Sequence, residues 1–503
     1  MTSTDLLIIG GGINGTAIAR DAAGRGLSVI LCEKDDLARH TSSASTKLIH
    51  GGLRYLEYYE FRLVREALIE REVLLRSAPH IIRPMRFVLP YDQGQRPQWM
   101  LRLGLFLYDN LGGRELLPGT KTVNLHKAPH DQVLEPRLKT GFEYSDCWVE
   151  DARLVVLNAI DAANRGADIR VGTAVTALSP HKDGYRATLS DGATITARGI
   201  VNAAGPWVDE VLFKIKRDRN EAGLRLIKGS HIVTKRLFPG DHAYMFQNAD
   251  NRIIFAIPYE GDYTLIGTTD VPWEAAPGPM DISPEEVDYL CKAASEYFAQ
   301  DIHASDVVWS YAGVRPLYDD KSENASAVTR DYVLDIDEFS AAPDGVETTD
   351  EGRPVLSIYG GKITTSRKLA EHALQKLSPY YAEASGDWTS EAQLPGGDIP
   401  ADDFEGFFTT QAARYPDVPA DILRHLCRAY GTRITLILGQ GPKTDLGLHF
   451  GAQLTEAEAR YLCNHEWARR AEDILYRRTK QGLHLSAPEK QVFINWFNQL
   501  AEL

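Results

Sequence analysis

The sequence lacks the features that would place it among membrane-spanning, secreted or metal-binding proteins. No apolar run in its 503 residues approaches the ~18–20 residues that a helix needs to cross a bilayer. The first residues carry neither a basic segment nor a cleavable apolar segment, so we expect no secretory signal. The cysteines lie singly with no C-x-x-C pair, which indicates reduced thiols in a cytosolic protein, without disulfides or a metal site: Cys32, Cys147, Cys291, Cys427 and Cys463.

An excess of positive charge is also missing. The formal net charge is −14, which does not favour nucleic-acid binding. The exception is residues 47–102, where ten lysines and arginines face six acidic residues. The apolar segment 99–108 follows, and two interpretations are open for it: a buried helix or strand, or an amphipathic segment in a membrane interface.

A dinucleotide-binding fingerprint is present near the N-terminus. An apolar strand is followed at once by Gly10, Gly12 and Gly15, which satisfy G-x-G-x-x-G. These glycines permit a tight turn, the approach of a pyrophosphate and close packing of the predicted helix, whose N-terminus would hold the pyrophosphate. A second apolar strand ends at Glu33, whose carboxylate would accept hydrogen bonds from an adenosine ribose. The pattern predicts a dinucleotide site without separating FAD from NAD.

The rest of the chain shows a change of architecture along its length. Short alternating runs over residues 224–333 predict an antiparallel sheet, and the polar segment 335–354 predicts an exposed loop. The last hundred residues are predicted to be mostly helical. Within them, residues 465–481 predict one helix with its arginines on a solvated face, or alternatively on a partner or headgroup surface.

Several motifs carry a resemblance to a known family. The order of these motifs along the chain resembles that of FAD-dependent glycerol-3-phosphate dehydrogenases, most closely their aerobic, respiratory bacterial members. The resemblance covers nearly the whole length of the chain. The H-G-G-L-R-Y-L run at residues 50–56 is highly specific to that family. Thr46 stands where serine is common, and Ala204 where threonine is frequent. The motifs lie at residues 10–15, 41–55, 199–208, 313–317, 329–332 and 360–368.

The resemblance implies a fold and a set of partners. It implies FAD, oxidation of sn-glycerol 3-phosphate to dihydroxyacetone phosphate, transfer of electrons to ubiquinone, and a homodimer bound peripherally to the inner face of the cytoplasmic membrane. The predicted fold class is α/β and α+β: a Rossmann-type FAD-binding domain interleaved with an antiparallel-sheet substrate domain, plus a C-terminal helical domain. The predicted boundaries are 1–80, 149–215 and 353–390 for FAD; 81–148 and 216–352 for substrate; and 395–503 for the helical domain.

The chemistry requires a base for the C2 hydroxyl and cations for the phosphate. His50 is the predicted base, because histidine titrates near neutral pH; a hydrogen-bonded core histidine is the alternative. Arg54, Arg315, Arg330 and Lys362 are the predicted cations, and for the arginines the alternative is pairing with nearby carboxylates. Lys362, or the helix dipole beside it, would also hold the negative charge of the reduced flavin.

The complete set of predicted site residues follows from these motifs. Catalytic roles fall to His50, Arg315 and Lys362, and substrate contacts to Arg54, Tyr55, Thr269, Arg315 and Arg330, with no metal. A related flavin oxidase using O2 or acting on an amine or 2-hydroxy acid, and a non-enzymatic flavoprotein, are the alternatives. The predicted cofactor contacts are Gly10, Gly12, Ile13, Asn14, Gly15, Glu33, Thr41, Ser42, Ser43, Ser45, Lys47, Leu48, His50, Gly205, Gly361, Lys362, Ile363 and Thr364.

Overall fold

The first of two large sheets contains eight strands. The computed structural model describes residues 2–92, 97–215, 223–248, 250, 252–318, 331–339, 353–401 and 403–501. The strands of the first sheet are β1 (Thr2–Ile9), β2 (Val29–Glu33), β7 (Asp168–Val171), β8 (Val175–His181), β9 (Gly184–Leu189), β10 (Thr194–Asn202), β17 (Val333–Phe339) and β18 (Arg353–Tyr359).

The core of this sheet is parallel and buried on both faces. Strands β18, β10, β1, β2 and β7 are neighbours in that order and run parallel. The continuous apolar run of β1 follows from burial on both sides. One face is covered by α1 (Ile13–Gly24), α4 (Asp151–Asn164) and α7 (Ser366–Leu377), and the other by α5 (Val208–Ile215).

The second sheet has ten strands and is antiparallel except where β4 pairs with β12. Helix α6 (Pro284–Ser295) packs on one face, and α2 (Phe61–Ser77) and α3 (Gln98–Leu111) pack on the other. Its strands are β3 (Leu48–Ile49), β4 (Ile82–Tyr91), β5 (Lys121–Asn124), β6 (Thr140–Val149), β11 (Leu224–Lys235), β12 (Ala243–Gln247), β13 (Ile253–Tyr259), β14 (Tyr263–Gly267), β15 (Val271–Pro272) and β16 (Val307–Tyr318).

The C-terminal region is helical and has its own core. A threonine begins one of its helices, since the Thr455 side chain accepts a hydrogen bond from the N–H of Glu458. The predicted fold class is therefore confirmed. The elements are α8 (Phe404–Arg414), α9 (Ala420–Tyr430), α10 (Thr435–Leu438), α11 (Glu456–His465), α12 (Ala487–Ala501) and a small hairpin of β19 (His449–Gly451) and β20 (Leu454–Thr455).

Two strands depart from the predicted boundaries. Strand β17 belongs to the first sheet, although residues 216–352 were predicted to be substrate domain and 335–354 an exposed loop. Asp335 and Asp337 alternate with apolar residues, which is the pattern of an edge strand with one solvated face; residues 340–352 lie outside the described part. Strand β3, predicted within the FAD-binding domain, pairs with β6 of the second sheet.

The predicted helix over residues 465–481 is wrong. Helix α11 ends at His465, and a separate π-helical turn spans Asp473–Arg478. Its last arginine is not solvated, because Arg478 is 1% exposed and donates to the Asp36 carboxylate at 2.8 and 3.0 Å. Glu466, in the same range, forms an ion pair with Arg153 of α4. These ion pairs attach the C-terminal region to the first sheet.

Candidate functional site

The turn between β1 and α1 forms one part of the site. Gly10 has φ +114°, and a Cβ atom there would lie 2.4 Å from the carbonyl oxygen of Ala203. A Cβ on Gly15 would lie 2.0 Å from the carbonyl oxygen of Gly10. The Glu33 carboxylate accepts a hydrogen bond from the N–H of Gly11 at 2.6 Å. Glycine at these positions therefore leaves the backbone uncovered by side chains at the N-terminus of α1, where a pyrophosphate is favoured.

A cavity of about 790 Å³ lies between the two sheets. Many separate stretches of sequence line it, and strand β3 brings the segment after β2 across to the second sheet. The predicted site residues that line the cavity are Ile13, Thr41, Ser42, Ser45, Leu48, His50, Arg54, Tyr55, Arg315, Gly361, Lys362, Ile363 and Thr364.

His50 follows β3 and lines this cavity. Its ring makes an edge contact with Phe255, with centroids 6.4 Å apart, and its backbone N–H donates to Oγ1 of Thr364 at 3.3 Å. Burial, followed by the positive charges of Lys362 and Arg71, lowers the pKa of His50 from 6.5 to about 4. The imidazole is therefore neutral at pH 7 and able to accept a proton.

Two cationic side chains line the cavity beside tyrosines. The ammonium of Lys362 lies 3.8 Å from the ring centroid of Tyr55, within the range of a cation–π interaction. The Arg54 guanidinium donates to the hydroxyl of Tyr58 at 3.2 Å, at an exposed part of the wall. Within the described residues neither cation forms an ion pair with a carboxylate, so both can reach an anion in the cavity.

The third cation is held more firmly. Arg315, on β16, forms an ion pair with Asp270 and donates to Oγ1 of Thr268 at 3.1 Å. All three side chains line the cavity. The pairing with a carboxylate was the alternative considered for this arginine. It orients the guanidinium and leaves donors for an incoming phosphate, since a guanidinium carries five N–H groups.

Lys47, predicted to contact the cofactor, lies behind the cavity wall. Lys47 has φ +60°, a left-handed backbone conformation, and it does not line the cavity, although Thr46, Leu48 and His50 do. It is 2% exposed, and its ammonium lies 2.9 Å from both carboxylate oxygens of Asp151. Its ammonium is therefore occupied by the Asp151 carboxylate.

Thr269, predicted to contact the substrate, does not line the cavity either. Thr268 and Asp270 line the cavity, whereas the hydroxyl of Thr269 is buried and donates to the Glu286 carboxylate at 2.7 Å. The predicted substrate contact Arg330 lies outside the described residues. The other predicted cofactor contacts that do not line the large cavity are Gly10, Gly12, Asn14, Gly15, Glu33, Ser43 and Gly205.

A buried hydrogen-bond network lies beneath His50, and no sequence motif indicates it. The hydroxyl of Tyr108 accepts a hydrogen bond from the N–H of Gly51 at 2.8 Å and donates to both oxygens of Asp146 at 2.7 and 2.8 Å. Arg71 completes the network, donating to Asp146 at 2.8 Å. Its members come from three elements far apart in sequence, so no local pattern could have identified them.

His231 is a second functional residue that the motifs missed. It lines the cavity from β11, and its Nε2 lies 3.0 Å from Oγ1 of Thr46. Its ring stacks on Tyr311 with centroids 4.8 Å apart. Burial, followed by the charges of Arg315 and Lys47, lowers its pKa well below 6.5. The alternation of side chains along β11, which places Gly229 and His231 on the same wall, is the sequence pattern that could have identified it.

The residues present fit a bound FAD. Asn14 donates to the carbonyl oxygen of Gly360 at 3.1 Å, and its own Oδ1 is buried without a hydrogen-bond partner among the described residues. It lies beside Gly361, where an added Cβ would be 3.1 Å from the amide nitrogen of Asn14. The unpaired acceptor suits a hydroxyl or N–H donor of the cofactor, and the glycine turn at the N-terminus of α1 suits its pyrophosphate.

The fold and the site define an FAD-dependent oxidoreductase, and comparisons with known proteins agree. Residues 5–365 match the family model described as FAD dependent oxidoreductase, and residues 388–492 match the C-terminal domain of alpha-glycerophosphate oxidase. The chain belongs to the FAD-dependent glycerol-3-phosphate dehydrogenase family, which confirms the predicted family and cofactor.

Individual relatives cover the chain almost completely. It is 51% identical to the D-erythritol 1-phosphate dehydrogenase of Brucella abortus (98% of this chain and 97% of the relative). It is 48% identical to the aerobic glycerol-3-phosphate dehydrogenase of Escherichia coli (99% and 97%). Among solved structures, the glycerol-3-phosphate dehydrogenase of Bacillus halodurans complexed with FAD matches with a TM-score of 0.70, at 26% identity (99% and 94%).

Proposed function

We propose that the protein oxidises the secondary alcohol of a phosphorylated polyol, with sn-glycerol 3-phosphate converted to dihydroxyacetone phosphate and the electrons passed to a membrane quinone. The observation that carries this proposal is the cavity wall, which brings a neutral His50 together with Arg54, Arg315 and Lys362. Bound FAD supplies the acceptor for the hydride leaving C2 and transfers the electrons onward.

The cations account for a phosphate better than for a carboxylate. A phosphate dianion offers three oxygens, and charge-assisted hydrogen bonds to it are worth about 1.5–3 kcal/mol each. Arg315 is oriented by Asp270, so its outer N–H groups point where a substrate oxygen can accept them. Arg54 and the predicted contact Arg330 would complete the phosphate site.

His50 removes the proton of the C2 hydroxyl. Its lowered pKa keeps it neutral across the physiological range, so it is in the accepting form. Lys362, stacked on Tyr55, places a positive charge near this group and would stabilise the negative charge that develops as the alcohol loses its proton.

D-Erythritol 1-phosphate is the second candidate substrate. The supporting observation is the 51% identity to a relative of that name. Both substrates carry a phosphate and a secondary alcohol, and the erythritol chain is one carbon longer. The two candidates are separated by the ratio of kcat/KM for the two substrates with a water-soluble dye as acceptor.

An exposed apolar surface supports the membrane quinone. No helix in the described residues is long and apolar enough to cross a bilayer. Helix α3 and the adjoining segments instead expose large apolar side chains, and Arg62, Arg65 and Arg102 are exposed among them. We call this the α3 surface; its apolar members are Tyr58, Tyr59, Phe61, Trp99, Met100, Leu103 and Phe106.

The α3 surface suits an anionic bilayer. Aromatic and aliphatic side chains enter the interface, and arginines pair with anionic headgroups. Tyr58 belongs both to this surface and to the cavity wall, so a quinone in the bilayer would lie next to the opening of the cavity. The alternative function is a flavin oxidase, which would pass electrons to O2 and would not need such a surface.

One experiment tests the proposal. Glycerol 3-phosphate is added anaerobically to the FAD-loaded protein, and the flavin absorbance is followed. Bleaching is expected, and its absence with both phosphorylated polyols would overturn the substrate class. A quinone analogue should then restore the absorbance far faster than air does; rapid reoxidation by air would instead establish the oxidase.

A further inference from the structure

Helix α3 has an exposed outer face and a buried inner face. Its outer face carries Trp99, Leu103 and Phe106, which are 64%, 50% and 62% exposed. Its inner face carries Leu105 and Tyr108, which are 1% and 2% exposed and pack against the second sheet. The outer face therefore meets whatever covers the α3 surface, and the inner face meets the core below the cavity.

At Tyr108, the inner face makes a polar contact with the segment that carries His50. The Tyr108 hydroxyl accepts the hydrogen bond of the Gly51 N–H at 2.8 Å and donates to Asp146. Gly51 directly follows His50, so this bond fixes the peptide plane between them. The contact is close on its apolar side too, since a Cβ on Gly51 would lie 2.5 Å from Leu68 and 2.8 Å from the Tyr108 ring.

The lower end of this network is rigid. Asp146 also accepts from Arg71 at 2.8 Å, and Arg71 donates to the carbonyl oxygen of Ser145 at 2.8 Å. Asp146, Arg71 and Tyr108 are each 1–2% exposed, and the Gly51 N–H also donates to Asp146 at 3.4 Å, so the buried carboxylate is bonded to all three partners. If α3 shifts, Tyr108 must therefore either move Gly51 with it or lose the hydrogen bond to Gly51, because Arg71 holds the Asp146 carboxylate in place.

We propose that Tyr108 is a positioning residue that couples the α3 surface to His50. Contact of the outer face with an anionic bilayer fixes the position of α3, and the Tyr108–Gly51 hydrogen bond then fixes the position of the neighbouring His50. The inference rests on the proposed function for the docking of this surface. Its consequence is that turnover rises when the protein is bound to a bilayer, even with an acceptor that does not enter lipid.

The test compares wild type, Tyr108→Phe and Tyr259→Phe as holoenzymes, with and without vesicles of phosphatidylglycerol and phosphatidylcholine. Tyr259 is a matched control: it is a buried tyrosine in the same core cluster, and its hydroxyl has no hydrogen-bond partner among the described residues. Three experiments are made on each protein: co-sedimentation with vesicles, steady-state kinetics (kcat and KM) with a water-soluble dye, and amide hydrogen exchange at Gly51.

We expect all three proteins to sediment with the vesicles. Vesicles should raise kcat severalfold in wild type and Tyr259→Phe, within the range of about 5–150-fold typical of coupled sites, and leave kcat unchanged in Tyr108→Phe. Exchange at Gly51 should slow on vesicle binding only where Tyr108 is present. This exchange measurement on wild type also decides the case if Tyr108→Phe folds poorly.

Each contrary outcome is distinct. Wild type that does not sediment overturns the docking surface and, with it, the coupling. Wild type that sediments with unchanged kcat and unchanged exchange at Gly51 overturns the coupling and leaves the docking surface intact. An equal vesicle effect in Tyr108→Phe overturns the role of its hydroxyl.

Discussion

The ammonium of Lys362 lies 3.8 Å from the ring centroid of Tyr55, on the wall that also presents His50. The charge of Lys362 is the first electrostatic cause, after burial, of the lowered pKa of His50. A cation held on an aromatic face thus helps to keep the base neutral.

The pH dependence of flavin reduction should follow from this relationship. A base with a pKa of about 4 stays neutral down to pH 5, so the rate should fall only as the pH drops through about 4. Lys362→Met should raise the His50 pKa towards 6.5 and move this acidic limb to higher pH. Comparing the two stopped-flow profiles cancels the titration of the substrate phosphate; coincident acidic limbs would contradict the assignment.

Replacing His50 should slow chemistry without releasing the cofactor. His50→Gln keeps a polar side chain of similar size but cannot take the proton, so flavin reduction should slow by about 10²–10⁴-fold. The measurement is anaerobic stopped-flow absorbance at saturating substrate, with FAD content determined in parallel. His449→Gln, an exposed change in the β19–β20 hairpin, is the control. A normal reduction rate in His50→Gln would assign the proton to another base.

What the sequence predicts well is local. Gly10 to Gly15 and Glu33 identify a dinucleotide site because a strand, a turn, a helix and a second strand follow one another within thirty residues. His50 and the run from Gly52 to Tyr55 likewise line one cavity.

The sequence does not predict contacts between side chains that are distant along the chain. Lys47 was assigned to the cofactor from its place in a motif, yet its partner Asp151 lies about a hundred residues away. Arg478 has the composition of a solvated helix face until Asp36 is brought against it. A buried charge with a partner and an exposed charge without one have the same sequence signal.

Arg478 should therefore matter for stability where its neighbour Arg470 does not. Arg478→Met leaves the buried Asp36 carboxylate with one fewer cation, and breaking a buried pair costs about 3–5 kcal/mol. Arg470→Met, at an exposed position, should change the free energy of unfolding by less than about 0.5 kcal/mol. Urea titrations followed by flavin fluorescence give both values. Equal effects would restore the solvated face predicted from the sequence.

Lys47 should act on stability rather than on direct cofactor binding. Lys47→Met leaves Asp151 charged and buried, at a cost of about 3–5 kcal/mol. The double variant Lys47→Met/Asp151→Asn removes that charge and should be more stable than Lys47→Met alone. The free energy of unfolding is measured for all three proteins, together with FAD affinity. Loss of FAD affinity at unchanged stability would instead support the direct contact predicted from the motif.

Arg315 should contribute to substrate affinity more than to turnover. Arg315→Met removes up to two charge-assisted hydrogen bonds to the phosphate, each worth about 1.5–3 kcal/mol, so KM should rise at least about tenfold for one lost bond. Asp270→Asn is the matched variant, because it keeps the guanidinium and removes only its ion-pair partner. Its KM should change less than that of Arg315→Met, since the cation remains. Steady-state kinetics with a dye acceptor separate KM from kcat for both. An unchanged KM in Arg315→Met would remove this arginine from the phosphate site and leave Arg54 and Lys362 as the cations that bind it.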